Sequence, residues 1–251
     1  MCSRRLLALA MLVFAGAAMA QESPSGAPAP PASPAGQNAA APAPAASPPP
    51  EAGAIVLGDA AAGQTKAAVC GACHGSDGNP TDKQYPKLAG QNEAYIVRQL
   101  TLFKTGKRQN PIMLGFASTL SAKDMHDIGA YFASKKSLPG VADEALVARG
   151  EALFRGGDVN HVVPACMACH GPDGRGMAGT GYPQLAGQWS SYVSSKLTDW
   201  KNGVTWGDDG RAAIMPLIAS RLDKDDIAAL SSYIEGLHTS TADPLVSGTA
   251  P

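Results

Sequence analysis

Beyond its first twenty positions the chain contains no apolar run long enough to cross a membrane, which takes about 20 residues. Neither sign of charge dominates, with 20 basic residues against 21 acidic ones. That balance, and the lack of a basic patch with interleaved aromatics, leaves no footprint for nucleic acid. No phosphate-cradling loop, Ser/His/Asp set or general acid pair competes for a catalytic role. Cysteine is scarce as well: five occur, and only Cys2 lies outside two short motifs.

Those motifs carry the main signal. Cys70-Gly71-Ala72-Cys73-His74 and Cys166-Met167-Ala168-Cys169-His170 both read C-x-x-C-H, and Gly-x-Asp-Gly follows each, Gly75 to Gly78 and Gly171 to Gly174. The pattern is that of covalent c-type haem attachment. Two thiols about one helical turn apart can each add to a haem vinyl group, and the His directly after the second can reach the iron. Three other readings compete: a thioredoxin-like redox pair, half of a zinc site, or a structural disulfide. A zinc ribbon spaces its pairs roughly 15–20 residues apart, whereas the gap here is far longer and a His follows both pairs. The expectation is two haem c groups held by Cys70, Cys73, Cys166 and Cys169, with His74 and His170 as proximal iron ligands.

Arg4 and Arg5, an apolar run from Leu6 to Ala18 and the small-residue pattern Ala18-Met19-Ala20 read as a leader. Residues 1–20 are expected to be a signal peptide cleaved before Gln21, with retention as an anchor the second option. Export suits covalent haem attachment, which takes place outside the cytoplasm, and an Ala-rich leader points to the bacterial periplasm. Its removal leaves 18 basic and 21 acidic residues, a formal charge of −3. Residues 21–52 are almost wholly Ala, Pro, Ser and Gly. Such a stretch buries too little apolar surface to offset its ordering entropy, so a disordered spacer is expected, either a passive tail or a tether.

Internal repetition extends well past the motifs. Asp59 to Cys70 and Asp143 to Phe154 are helical patterns with Gly63 and Gly150 in matching places. An interior glycine costs a helix about 1 kcal/mol, so a close helix crossing is expected at each. Tyr85-Pro86-Lys87-Leu88-Ala89-Gly90-Gln91 recurs as Tyr182-Pro183-Gln184-Leu185-Ala186-Gly187-Gln188, and in the helices behind them Tyr95, Leu100, Phe103 and Gly106 match Tyr192, Leu197, Trp200 and Gly203. The offset then grows from 97 to 102, placing five extra residues in the loop Val204 to Arg211. Met113 to Leu120 parallels Met215 to Leu222, with each Met read as lying in a loop ahead of a last helix. Ser121 with Asp124, and Asp223 with Asp226, predict N-caps. Met125, Ile128 and Phe132, like Ile227, Leu230 and Ile234, predict one buried face per terminal helix.

The predicted fold is all-α: two tandem all-helical haem domains at 53–139 and 143–238, each wrapped around one covalently bound haem, then a C-terminal tail at 239–251. Each domain is under about 100 residues, small for an apolar core alone, and the haem would supply the missing interior.

For the sixth iron position the candidates are methionines, because His126, His161 and His238 do not repeat between halves. Met113 and Met215 do, and His/Met ligation is a known cytochrome arrangement; an isolated Met would otherwise read as core filler. The Pro86 and Pro183 carbonyls stand where they could accept the proximal imidazole N–H, though either proline could equally be an ordinary turn residue. Arg108 and Arg211 precede the methionines and could pair with haem propionates, solvated surface arginine being the alternative.

With these residues in view the chain resembles the dihaem cytochromes c4, built from two class I cytochrome c domains. The doubled C-x-x-C-H-G-x-D-G, the Tyr-Pro-x-Leu-Ala-Gly-Gln segments and the Met-x-x-x-Ala-x-x-Leu phrases carry the resemblance over roughly residues 55–238. Departures are the spacer, nine extra residues between Gly150 and Cys166, and the five-residue loop insertion. The resemblance implies domains related by a pseudo-twofold, haems close enough for rapid exchange, and delivery of electrons to a terminal oxidase.

If both irons carry His and Met, neither has an open site, which suits an electron carrier rather than an enzyme. The donor would be a quinol-oxidising complex, a small electron carrier or similar, with peripheral membrane association a further option. The rival reading is a haem enzyme, a dihaem peroxidase or sulfur-compound dehydrogenase in which one Met is displaceable; His161 is the residue that could replace Met215. A third is a fixed subunit of an oxidase complex.

Overall fold

The computed structural model describes residues 57–238. The expected signal peptide, spacer and C-terminal tail lie outside the described residues, as do the first positions assigned to the first domain. Among the described residues the regular structure is helical, and two isolated β-bridges, Asp158 with Val163 and Met177 with Tyr182, are the extended pairings.

The first half runs from α1 (Ala60–Lys66) through a 3-10 turn, Ala67–Val69, into the single-turn α2 (Gly71–His74), then α3 (Glu93–Lys104), α4 (Pro111–Ser118) and α5 (Ala122–Ala133). The second repeats that order as α6 (Glu144–Gly156), α7 (Met167–His170), α8 (Ser190–Lys201), α9 (Ile214–Ala219) and α10 (Lys224–Gly236). Packing repeats as well. The last helix of each half, α5 or α10, lies on the first and third, and the third touches the fourth.

Local chemistry explains the starts. Asp59 and Asp143 accept amide hydrogens at the heads of α1 and α6. Ser121 with Asp124 and Asp223 with Asp226 form reciprocal capping boxes on α5 and α10, as the sequence predicts. The first and last helices of each half cross at Gly63 and Gly150, both buried, and neither position has room for a side chain. The expected close crossings are therefore present.

Two apolar cores result. Ile96, Leu100, Phe103, Met125, Ile128 and Phe132 anchor the first, and Leu153, Phe154, Leu197, Leu222, Leu230 and Ile234 the second. The nine residues added before the second motif form a small turn closed by the Asp158–Val163 bridge, and its Val163 fills part of the second core. One expectation needs correction. Helix α10 is buried on more than one face, because Ser231, Ser232 and Glu235 are covered as well as Ile227, Leu230 and Ile234. The segment linking the halves lies over it: the Asp143 amide donates to Ser232 Oγ at 2.8 Å, and the Gly140 amide to the Glu235 carbonyl at 2.9 Å. Lys83 of the first half reaches Glu235 at 3.0 Å.

The repeated Tyr-Pro-x-Leu-Ala-Gly-Gln segments fold back over the haem motifs. The Gly78 carbonyl accepts from Leu88 and Ala89, and the Gly174 carbonyl from Leu185 and Ala186. A side chain at Gly78 would collide with the Ala89 amide, its β-carbon falling 2.5 Å from that nitrogen, and its φ of +83° already favours glycine. The segments also join the two halves. The Gln91 carboxamide pairs with the Gln184 backbone and the Gln188 carboxamide with the Lys87 backbone, a reciprocal arrangement that fits a pseudo-twofold.

The five-residue insertion adds a second joint. Asp209 takes Arg98 in a two-pronged pair at 2.6 and 2.8 Å, Asp208 takes Lys107 at 2.9 Å, and the Gly207 amide donates to the Lys107 carbonyl. Trp206 lies between Trp200, 4.6 Å away by ring centroids, and the Arg108 guanidinium, 3.5 Å from its ring.

Candidate haem sites

Helices α2 and α7 are single turns that begin just after the first cysteine and end on the histidine of each motif. Each therefore displays two thiols and an imidazole within one turn. The glycine that follows, Gly75 or Gly171, has a φ of +78° and stops the helix there. Both histidines are buried, His74 at 8% exposure and His170 at 7%.

Each ring is held from behind. His74 Nδ1 lies 2.9 Å from the Pro86 carbonyl oxygen and His170 Nδ1 lies 2.9 Å from that of Pro183. A carbonyl only accepts, so Nδ1 carries the proton and Nε2 is left with its lone pair. Tyr85 and Tyr182 stand edge-on to the two rings at centroid distances of 6.1 and 6.2 Å. Burial pulls both imidazoles below the ordinary histidine value, against the opposing pull of the carbonyl. A neutral ring with a free Nε2 is the form that binds a metal.

Burial also pushes the Cys70 thiol up, and that of Cys166 up to about 11. A thioredoxin-like pair depends on a depressed thiol, so this environment is the wrong one for it. The four thiols form no disulfide, and among the described residues no group of three or more His, Cys, Asp and Glu is placed to hold a metal ion by itself.

A cavity of about 980 Å³, lined from both halves, takes in all twelve residues singled out from the sequence: the four cysteines, His74, His170, Met113, Met215, Pro86, Pro183, Arg108 and Arg211. That volume is at the upper end for small-molecule sites, which run to roughly 1,000 Å³. The other histidines stay off its wall. His126 pairs with Glu93 at 2.7 Å, His161 leans on Asp158 at 3.1 Å with its side chain two-thirds exposed, and His238 is exposed. Met125, Met167 and Met177 do not line it either. Thiols, a lone-pair nitrogen and a thioether around an apolar space are the donor set a c-type haem requires, and the residues fit that group.

One detail differs from the sequence reading. Met113 and Met215 do not lie in loops. Met113 is in the first turn of α4, which starts on Pro111 and is capped by Asn110, whose side chain accepts the Met113 amide at 3.0 Å; Met215 is the second residue of α9. Arg108 is engaged at the joint between the halves. Its guanidinium donates to Gln99 Oε1 and Tyr192 Oη and covers Trp206. The roles of Gln91, Gln188 and Trp206 were not foreseen, although both glutamines close a repeated segment and Trp206 lies in the inserted loop.

The family model for cytochrome c matches the chain twice, over residues 60–136 and 147–238. Cytochrome c4 of Pseudomonas aeruginosa is 55% identical over 185 residues, spanning 74% of this chain and 92% of that one. The crystal structure of reduced recombinant cytochrome c4 from Pseudomonas stutzeri superposes with a TM-score of 0.69 at 47% identity, covering 72% of this chain and all of that one. A protein of Thiomonas intermedia described as a thiosulfate dehydrogenase electron acceptor is 36% identical over 69% of this chain and 81% of its own. With one C-x-x-C-H motif inside each of two cytochrome c matches, the cofactors are two covalently bound haem c groups, and the chain belongs to the cytochrome c4 family.

Proposed function

We propose that the protein is a periplasmic one-electron carrier in which His74 with Met113, and His170 with Met215, are the axial iron ligands. In this reading it takes electrons from a quinol-oxidising complex or similar donor and delivers them to a terminal oxidase. The observation that carries it is the lining of the cavity: each half brings one His and one Met to its wall, and no other His or Met of the described residues reaches it. Once bound, each haem supplies a one-electron iron couple, and thioether ligation favours its reduced form. The chain's own residues orient and shield it. The Pro86 and Pro183 carbonyls fix the imidazole rings, and the apolar helix faces keep water away.

The enzyme alternative needs a vacated or displaceable axial position. His161, the residue that could have replaced Met215, is tied to Asp158 outside the cavity, which favours the carrier. A second donor class is supported by the Thiomonas relative: a thiosulfate-oxidising dehydrogenase in place of a quinol-oxidising complex.

A redox titration of the purified holoprotein, with visible and near-infrared spectra at each step, tests the reading. The expected result is two haems, each with a Met-to-ferric-iron charge-transfer band. A high-spin haem in the unaltered protein would sink it. Mixing the reduced protein with oxidase-containing membranes, and the oxidised protein with either donor class, then assigns the partners.

A further inference from the structure

The two glutamines at the domain joint do not grip arbitrary backbone. Gln188 Oε1 accepts the Lys87 amide hydrogen at 3.0 Å, and Gln91 Oε1 accepts that of Gln184 at 2.8 Å. Each of those amides belongs to the peptide group whose carbonyl, on Pro86 or Pro183, accepts the histidine Nδ1–H at 2.9 Å. One planar peptide thus stands between the histidine of one half and the glutamine of the other, in both directions.

The geometry is pinned. Each carboxamide also donates from Nε2 to the carbonyl of the residue it grips, Lys87 at 2.9 Å or Gln184 at 3.0 Å, so its oxygen must face the amide. Each Oε1 takes a second hydrogen from the next residue of its own chain segment, Trp189 or Asn92, at 3.0 Å. Both glutamines are buried, so water does not compete for these bonds.

We infer that Gln91 and Gln188 are positioning residues that tune the histidine of the opposite half through this shared peptide. The inference rests on the axial-ligand reading above. An acceptor on a peptide N–H pushes electron density toward its carbonyl oxygen, and chained hydrogen bonds strengthen one another by roughly 10–30%. A stronger acceptor at Nδ1 makes the imidazole a better donor to iron and stabilises the ferric form. Each half therefore lowers the potential of the other's haem, and docking of the halves is part of what sets both.

The test uses the full-length holoprotein with Gln188→Met and Gln91→Met, with potentials assigned to each haem by NMR of its methyl groups. Gln188→Met is expected to raise the reduced-to-oxidised ratio of the first haem about threefold at fixed poise, about 28 mV at 59 mV per tenfold for one electron. The second haem should stay unchanged. Gln91→Met should do the reverse, and in the reduced protein only the opposite half's histidine Nδ1–H resonance should move. A shift at the haem of the glutamine's own half, equal shifts at both, or none in a folded variant overturns the inference. Where neither variant accumulates, the unaltered protein decides: oxidation of the first haem should slow exchange of the Lys87 amide, and an unchanged rate overturns the inference. Loss of His/Met ligation in the unaltered protein would instead sink the functional reading, so the two failures are distinct.

Discussion

The α-carbon of Gly63 lies so close to the Asp127 carbonyl that a β-carbon added there would stand 1.9 Å from the oxygen. At the matching crossing in the second half, a β-carbon on Gly150 would stand 2.4 Å from the Ala229 carbonyl oxygen. Backbone cannot retreat as a flexible side chain can. Gly63→Ala and Gly150→Ala are each expected to cost at least about 1–3 kcal/mol, the usual penalty of overpacking. Gly115→Ala, in the interior of α4 with nothing within 4 Å, is the control and should be neutral or slightly stabilising. Denaturant unfolding measures all three; a loss below about 0.5 kcal/mol at Gly63 would mean the crossing is looser than described.

If Met113 and Met215 ligate as proposed, removing either sulfur should open one iron and leave the other closed. Met113→Ala is expected to make the first haem bind added imidazole or cyanide and to abolish one of the two charge-transfer bands, with Met215→Ala doing the same at the second. Optical titration with each ligand checks this. Tight ligand binding by the unaltered protein would contradict it.

Asp127 predicts an acid-sensitive first half. Its fully buried carboxylate accepts the Asp59 amide at 2.8 Å and the Lys66 and Lys123 ammonium groups at 2.6 and 2.9 Å. The Asp59 bond first, then the two lysines, hold its carboxyl well below the usual carboxylate range. The folded state thus favours the ionised form. Its contribution is present above the unfolded value of about 3.9 and is lost as pH falls from there through the lower folded value. Asp127→Asn should melt at a lower temperature than the parent at pH 7, and the gap should begin to narrow below about pH 4 and shrink steadily as the pH falls further. A gap independent of pH would show that the charge is not what matters.

At the inserted loop, Trp206→Ala and Asp209→Ala should separate packing from charge. Asp209 and Arg98 are partly exposed, so Asp209→Ala is expected to cost under about 1 kcal/mol and to lose its effect in high salt. Trp206 loses contact with an aromatic ring and a guanidinium, so its removal should cost about 1–2 kcal/mol at any salt concentration. Denaturant unfolding at low and high ionic strength distinguishes the two, and Asp209→Ala, outside the cavity wall, should leave both haem spectra unchanged.

Much of this architecture was readable because it is written locally and twice. A C-x-x-C-H motif states its chemistry within five residues, a Ser or Asp three positions ahead of an Asp states a cap, and an interior glycine repeated at the same place states a crossing. The short helices around Met113 and Met215 were missed for different reasons. Asn110-Pro111 is a legitimate helix start, but the glycine and proline nearby read as loop; α9 begins on Ile214 behind an Ala213 N-cap that offers no side-chain cap at all. The joint was illegible for a physical reason. Gln91 and Gln188 act on peptide groups 93 and 101 positions away, and no local pattern marks which backbone a carboxamide will meet. The second buried face of α10 was missed likewise, since residues 140 and 143, some ninety positions earlier in the chain, cover it only once the chain has folded back.

Because each glutamine holds a peptide group and not a side chain, its grip asks only for a backbone N–H at the held position, which every residue but proline supplies. Lys87 and Gln184 sit at corresponding places in the two repeats yet have parted company: one rests its ammonium 3.9 Å above the Trp189 ring, the other donates from its carboxamide to the Ala89 carbonyl. A duplicated segment tied in this manner can carry different side chains at its gripped position while the same pair of backbone bonds closes the seam.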